Sequence, residues 1–189
     1  MKIKTLFLII IILATCQLMK SQPAGNNVTD LLLSAYSERS YSTEPVTDAQ
    51  LDIILKCGIK APSARNLQPW RFTVIQDESL MKEIVNNVVA GNVLIIISGR
   101  ESQQVGSISE FDCGLAAESM FIAAHGLGLG ARILGSPAGK VNAQKNTYGI
   151  SEGYNAVVVL RIGNVDKTVD AVSTASKRID FNDIVNFKK

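Results

Sequence analysis

An α+β sandwich, with a mixed sheet flanked by helices on both sides, is the fold class that three features of this sequence predict. Three short runs are β-branched or continuously apolar, helical patterns alternate with them, and one long Ala-rich segment is apolar around much of its circumference. A chain of 189 residues, 47% hydrophobic and 19% charged, carries enough apolar side chains for one core.

The chain opens on basic Lys2 and Lys4, an apolar run from Leu6 to Ala14, and small or polar residues from Thr15, the order of a secretory leader. That run is shorter than the roughly 20 apolar residues a helix needs to span a bilayer. Leu13-Ala14-Thr15-Cys16 resembles the lipobox of bacterial lipoproteins, which makes Cys16 a candidate lipid anchor, with simple cleavage as the alternative. Residues 17 to 27 are polar, contain Pro23 and Gly25, and suit a tether. Residues 1–27 are thus expected to be leader and tether of an exported, periplasmic or membrane-anchored protein, and residues 28–189 the folded domain.

Val28 to Tyr36 has helical spacing through Leu31, Leu32 and Ala35, with Thr29 or Asp30 as a cap. Thr47 and Gln50 form a capping box that opens a second helix, running to about Gly58 and ending before Pro62. Arg71 to Gln76 alternates as a strand does, Val93 to Ser98 is a continuous apolar strand, and Ala156 to Ile162 is a third. A helix is expected between the first two strands. Ser109 to Gly126 is the long helix, apolar on most sides and therefore expected to be buried. Gly126-Leu127-Gly128-Leu129-Gly130 follows it as a helix end with a left-handed cap rather than a dinucleotide loop, because it succeeds a helix instead of a strand.

The usual catalytic devices are absent. His125 is the one histidine, so a Ser-His-Asp triad would have to use it, and its apolar helix favours a packed role. No Cys/His cluster has metal-binding spacing, and no glycine loop ends in Lys-Ser/Thr. Cys57 and Cys113 sit in apolar helical patterns and read as core residues, not as a disulfide framework. The formal charge of +2 is accounted for by Lys2 and Lys4, and no basic cluster is interleaved with aromatics, which argues against nucleic acid as a partner.

What remains is the loop Lys60 to Phe72, pinned by Pro62 and Pro69. It presents Ser63, Asn66 and Gln68, whose hydroxyl and amide groups both donate and accept. Such groups suit the edge of a heterocycle; a structural turn with Trp70 in the core reads equally well from the residues alone.

The string APSARNLQPWRF resembles the Ala-Pro-Ser-x-x-Asn-x-Gln-Pro-Trp-x-Phe signature of the nitroreductase family. Ser37-Glu38-Arg39-Ser40-Tyr41 ahead of Pro45-Val46 is similar to that family's N-terminal basic segment. Asp112 to Glu118 and Ala124 to Gly130 resemble its central helix and the turn after it, and Val157 to Gly163 with Lys177-Arg178 its closing strand and C-terminal arm. The likeness spans about residues 30 to 185. It implies an intertwined homodimer that binds FMN at its interface, takes electrons from NAD(P)H or another donor, and reduces nitroaromatics, quinones or similar small acceptors by a ping-pong cycle. The rival reading is an exported flavin-binding module without NAD(P)H turnover.

Carried onto matching positions, Ser37 and Arg39 would hold the phosphate and ribityl end or the flavin N1/O2 edge, and Lys177 with Arg178 the phosphate. Pro62, Ser63, Ala64, Asn66 and Gln68 would belong to the loop that lines the ring from the other subunit, with Leu134 and Gly135 near N5. Ala35 stands where the family's first basic residue would be, so one phosphate contact is lost. A guanidinium about 4 Å from the reduced ring's negative charge would stabilise it by about 4 kcal/mol at an effective dielectric of 20. Because the cofactor carries the hydride chemistry, no catalytic side chain is required.

Overall fold

The computed structural model describes residues 27–102, 108–170 and 176–188; the leader, Cys16 and most of the tether lie outside them. The chain divides into a unit Met1–Leu33 and a unit Ser34–Lys189. Helix α1 (Asn27–Ser34), which belongs to the first but for its last residue, ends two residues before the expected Tyr36 and buries no residue.

The second unit is built on four strands: β1 (Trp70–Ile75), β2 (Val93–Arg100), β3 (Gly130–Leu134) and β4 (Tyr154–Gly163), in the order β1-β2-β4-β3. Helices α2 (Asp48–Ile59), α3 (Glu78–Ile84), α4 (Ile108–Gly126), α5 (Ala138–Ala143) and α6 (Phe181–Ile184) fill the intervals. The capping box forms in both directions: Gln50 N donates to Thr47 Oγ1 (3.3 Å) and Thr47 N to Gln50 Oε1 (3.0 Å).

The sheet, expected to be mixed, pairs antiparallel at every strand junction; the one parallel pairing among the described residues is an isolated bridge, Ser37 to Ala131. The continuous apolar run of β2 reflects cover on both faces, which an antiparallel strand at the centre of a sheet also needs. Ile95, Ile97, Leu160 and Ile162 join the core that includes α2 and α4, while Leu94, Ile96 and Val159 join the one that includes α3 and α5. Val93 through Gly99 are all buried as a result.

Three elements were not foreseen, β3, α5 and α6. Strand β3 begins at Gly130, immediately after the turn where Gly128 takes φ +76°, and runs through Ile133 to Leu134. The short helix α5 then covers β4. Helix α4 is buried along one face, through Cys113, Ala116, Ala117, Met120 and Ala124. Its other side leaves Ile108 64% and Phe111 67% exposed, so the full burial expected of it is not reached within one chain.

Candidate functional site

The loop between α2 and β1 is the most constrained polar segment among the described residues. Arg65 (φ 53°), Asn66 (φ 56°) and Gln68 (φ 47°) all take left-handed conformations, costing roughly 1 to 2 kcal/mol each for residues that carry a Cβ. They persist because the loop is overdetermined. Gln68 N donates to Ser63 Oγ (3.0 Å), Gln68 Nε2 to the carbonyl and Oδ1 of Asn66 (3.3 and 3.2 Å), and Asn66 N to Ser63 O (3.0 Å).

An external brace completes it. Asp112, in the second turn of α4 and buried, accepts from Ala64 N on both carboxylate oxygens at 3.2 Å. Pro69 and Trp70 are buried beneath, so the structural-turn reading describes the floor of this loop. Its polar upper groups stay outward, with Pro62, Asn66 and Gln68 exposed. Beside it lies a cleft of about 450 Å³ whose walls include Ala64, Arg65, Leu67, Arg100 and Asp112.

Ser37 and Arg39 sit elsewhere. Ser37 bridges Ala131 on β3, and both it and Arg39 are exposed. Between them Glu38 is fully buried. Its Oε1 accepts from Arg39 N and Ser40 N, each at 2.8 Å, and Oε2 accepts from Tyr36 Oη at 2.7 Å. Burial and that bond push the Tyr36 phenol up to about 12. His125 packs edge-on to Phe121 at 4.6 Å; burial holds its imidazole below the usual histidine range, as a packed role requires.

Nearby on β4, Arg161 is buried, stacks over Tyr41 at 4.0 Å and donates to Asn92 Oδ1 (2.9 Å), Asn87 Oδ1 (3.0 Å) and Asn87 O (2.9 Å). Leu134 closes β3, and Gly135 follows it. Lys177 and Arg178 lie exposed on the C-terminal segment. Cys113 is buried and Cys57 half-buried, both free, and burial pushes the Cys113 thiol up to about 12, far from nucleophile range. No group of His, Cys, Asp and Glu among the described residues could hold a metal.

Register fixes how far apart the two polar segments are. Ser37 meets Ala131, which pairs with Ile162, which in turn pairs with Val93. The loop enters β1 at Trp70, which pairs with Gly99. The two segments therefore occupy diagonal corners, about 14 Å across the strands and 20 Å along them, or roughly 25 Å apart. One chain brings Ser63, Ala64, Asn66 and Gln68 together, and Ser37 and Arg39 together, but not one group with the other. Glu38 and Asp112, the buried carboxylates that hold these segments, were not foreseen as functional: in sequence one reads as a solvated charge and the other as part of a helix motif.

A family model described as "Nitroreductase family" matches residues 32–104. An Archaeoglobus fulgidus protein provisionally named NADH dehydrogenase/NAD(P)H nitroreductase is 28% identical over 143 residues, 70% of this chain and 82% of that protein. The NADPH-flavin oxidoreductase of Vibrio harveyi is 22% identical over 163 residues, 75% of this chain and 67% of its own length. A Desulfitobacterium hafniense nitroreductase crystallised with bound FMN superposes with a TM-score of 0.73 at 20% identity, over 88% of this chain and all of that one. Over residues 32–104 the chain is similar to the nitroreductase family, and its fold is that of the solved nitroreductases.

Proposed function

We propose that this chain is an FMN-dependent oxidoreductase that works as a homodimer, taking electrons from NAD(P)H or another donor and passing them to nitroaromatic, quinone or similar small acceptors. The observation that carries the reading is the diagonal placement of two polar segments that suit one flavin. The loop offers uncharged hydroxyl and amide groups to a heterocycle, and the Ser37–Arg39 segment offers a hydroxyl and a cation to the N1/O2 edge or phosphate end. One flavin ring cannot touch both corners of one sheet, whereas two chains related by a two-fold axis would bring the corners together at two equivalent sites.

The donor chemistry fits FMN: Arg39, Lys177 and Arg178 are exposed cations for a phosphate and an anionic ring edge. The exposed Ile108 and Phe111 of α4 give a second copy an apolar surface to cover. Bound FMN would supply the hydride acceptor and donor. The residues of this chain bind and orient it, and Arg39 favours its reduced form. Leu134 and Gly135 are placed by the same reading near the reacting edge.

The decisive experiment is anaerobic. Purified protein should be yellow with FMN, and NADH or NADPH should bleach it; retention of oxidised FMN against both, and against dithionite-free donors such as reduced ferredoxin, would leave the binding-module reading. Subunit mixing tests the shared site. An Arg39→Ala chain combined with an Asn66→Ala chain confines both lesions to one site of each heterodimer, so part of the wild-type activity should return on mixing. A monomer by sedimentation that still holds one FMN per chain would end the shared-site model.

We also propose that the N-terminal run directs export, with Cys16 as the acyl acceptor. Acyl labelling that disappears in Cys16→Ser would support it, and an intact Met1 on the protein from its native host would refute it.

A further inference from the structure

Glu38 is the one fully buried acid in the segment that carries Ser37 and Arg39, and its burial is arranged for. Opposite it stands Gly130, where a Cβ would lie 2.5 Å from Glu38 Cγ and 2.9 Å from its Cβ, so any larger residue would displace the side chain. The main chain of Glu38 is fastened too: its N–H donates to Ala131 O (3.0 Å), and its carbonyl accepts from Tyr41 Oη (3.2 Å).

An apolar side chain of similar volume would fill this space without burying a polar group, so packing alone does not call for an acid here. What the carboxylate adds is an acceptor shared by two consecutive main-chain N–H groups, those of Arg39 and Ser40. Fixing both fixes the peptide planes on either side of Arg39, and hence the direction in which its side chain leaves the chain. The third bond, from Tyr36, holds the carboxylate in the orientation that serves those two N–H groups.

We propose that Glu38 is a positioning residue for the cofactor: it aims Arg39, and with it Ser37, by holding the Arg39 and Ser40 amides, and Gly130 provides the space for it. The inference rests on the FMN reading above. It predicts a role for acceptor geometry and not for charge, which separates it from a general electrostatic effect.

Four variants test it: Glu38→Leu, Glu38→Gln, Gly130→Ala, and Ile54→Val as a stability control in the fully buried core of α2. The measurements are FMN affinity by fluorescence titration, the flavin midpoint potential by anaerobic dye equilibration, amide hydrogen exchange at Arg39 and Ser40 in flavin-free protein, and Tm. Glu38→Leu and Gly130→Ala should weaken FMN binding about tenfold and speed exchange at both amides. They should also lower the potential by about 30 mV, which is a tenfold loss of preference for the reduced form in a two-electron couple. Glu38→Gln should retain most of the wild-type values, because its amide oxygen can still accept from both N–H groups while its N–H₂ faces the Tyr36 hydroxyl.

Ile54→Val should lower Tm and leave the other three readings alone. Should Glu38→Leu fail to fold, Gly130→Ala carries the same expectation with every polar group retained. The role is overturned if Gly130→Ala and Glu38→Leu change Tm but neither affinity nor potential, or if Glu38→Gln behaves like Glu38→Leu. Wild-type protein that binds no FMN overturns the cofactor reading and this role with it, an outcome distinct from normal binding in all four variants.

Discussion

Two buried carboxylates hold the two halves of the candidate site, and they do so by opposite routes. Asp112 belongs to α4 and reaches across the fold to Ala64, 48 residues away in sequence, so the loop it braces is held from outside. Glu38 braces its own neighbours, one and two residues on. The braced backbones differ accordingly. The loop carries three left-handed residues, whereas the Ser37–Ser40 segment carries none. Strain is sustained where a separate element overdetermines the loop, and a locally braced segment stays in relaxed conformations.

The contrast would break most visibly at Asp112. In Asp112→Ala the Ala64 N–H, close to a buried position, loses its acceptor, and stability should fall by about 1 to 3 kcal/mol in urea denaturation, with Asp112→Asn losing less. A fall of under half a kcal/mol would mean the loop braces itself. Tyr36→Phe removes one of three bonds to the Glu38 carboxylate, so about 1 kcal/mol should be lost, with the Arg39 and Ser40 bonds intact by hydrogen exchange. Arg65→Gly should stabilise the chain by up to about 1 kcal/mol, since glycine takes φ 53° freely; a loss would show that the Arg65 side chain is held in place by contacts.

The smallest effect is a pH dependence at His125. Its folded pKa lies below that of the unfolded chain because burial disfavours the imidazolium. Stability is therefore fully present above the unfolded value of about 6.5 and declines as pH falls from there toward the folded value, where the unfolded state binds the extra proton. Tm measured at pH 7.5 and 5.5 should show this decline, and His125→Gln should flatten it.

Elements whose periodicity is strong were legible in the sequence. The capping box at Thr47, the apolar run of β2 and the long helix α4 each agree with the structure to within a few residues. Strand β3 was not, because its five residues follow a glycine-rich turn, place Arg132 among apolar neighbours, and gain strand character only by pairing with β4. The loop of the candidate site was legible as a string, since its polar residues lie close together in sequence. Its brace was not: nothing local at Asp112 announces that a main-chain N–H from another element will face it. Glu38 was hidden for a related reason, since a glutamate flanked by Ser37 and Arg39 looks like a surface residue until Gly130 is seen opposite it.

The position of β2 also bears on how the chain is made. Val93 through Ile97 are five consecutive uncharged apolar residues, the composition of an aggregation-prone segment. One neighbour, β1, precedes it, but the other, β4, begins at Tyr154, more than fifty residues after β2 ends. At ribosomal rates of roughly 5 to 20 residues per second, one edge of β2 stays unpaired for about 3 to 10 s during each round of synthesis. Yield from an overexpressing host should therefore respond to chaperone supply and temperature more than to the stability of the finished protein.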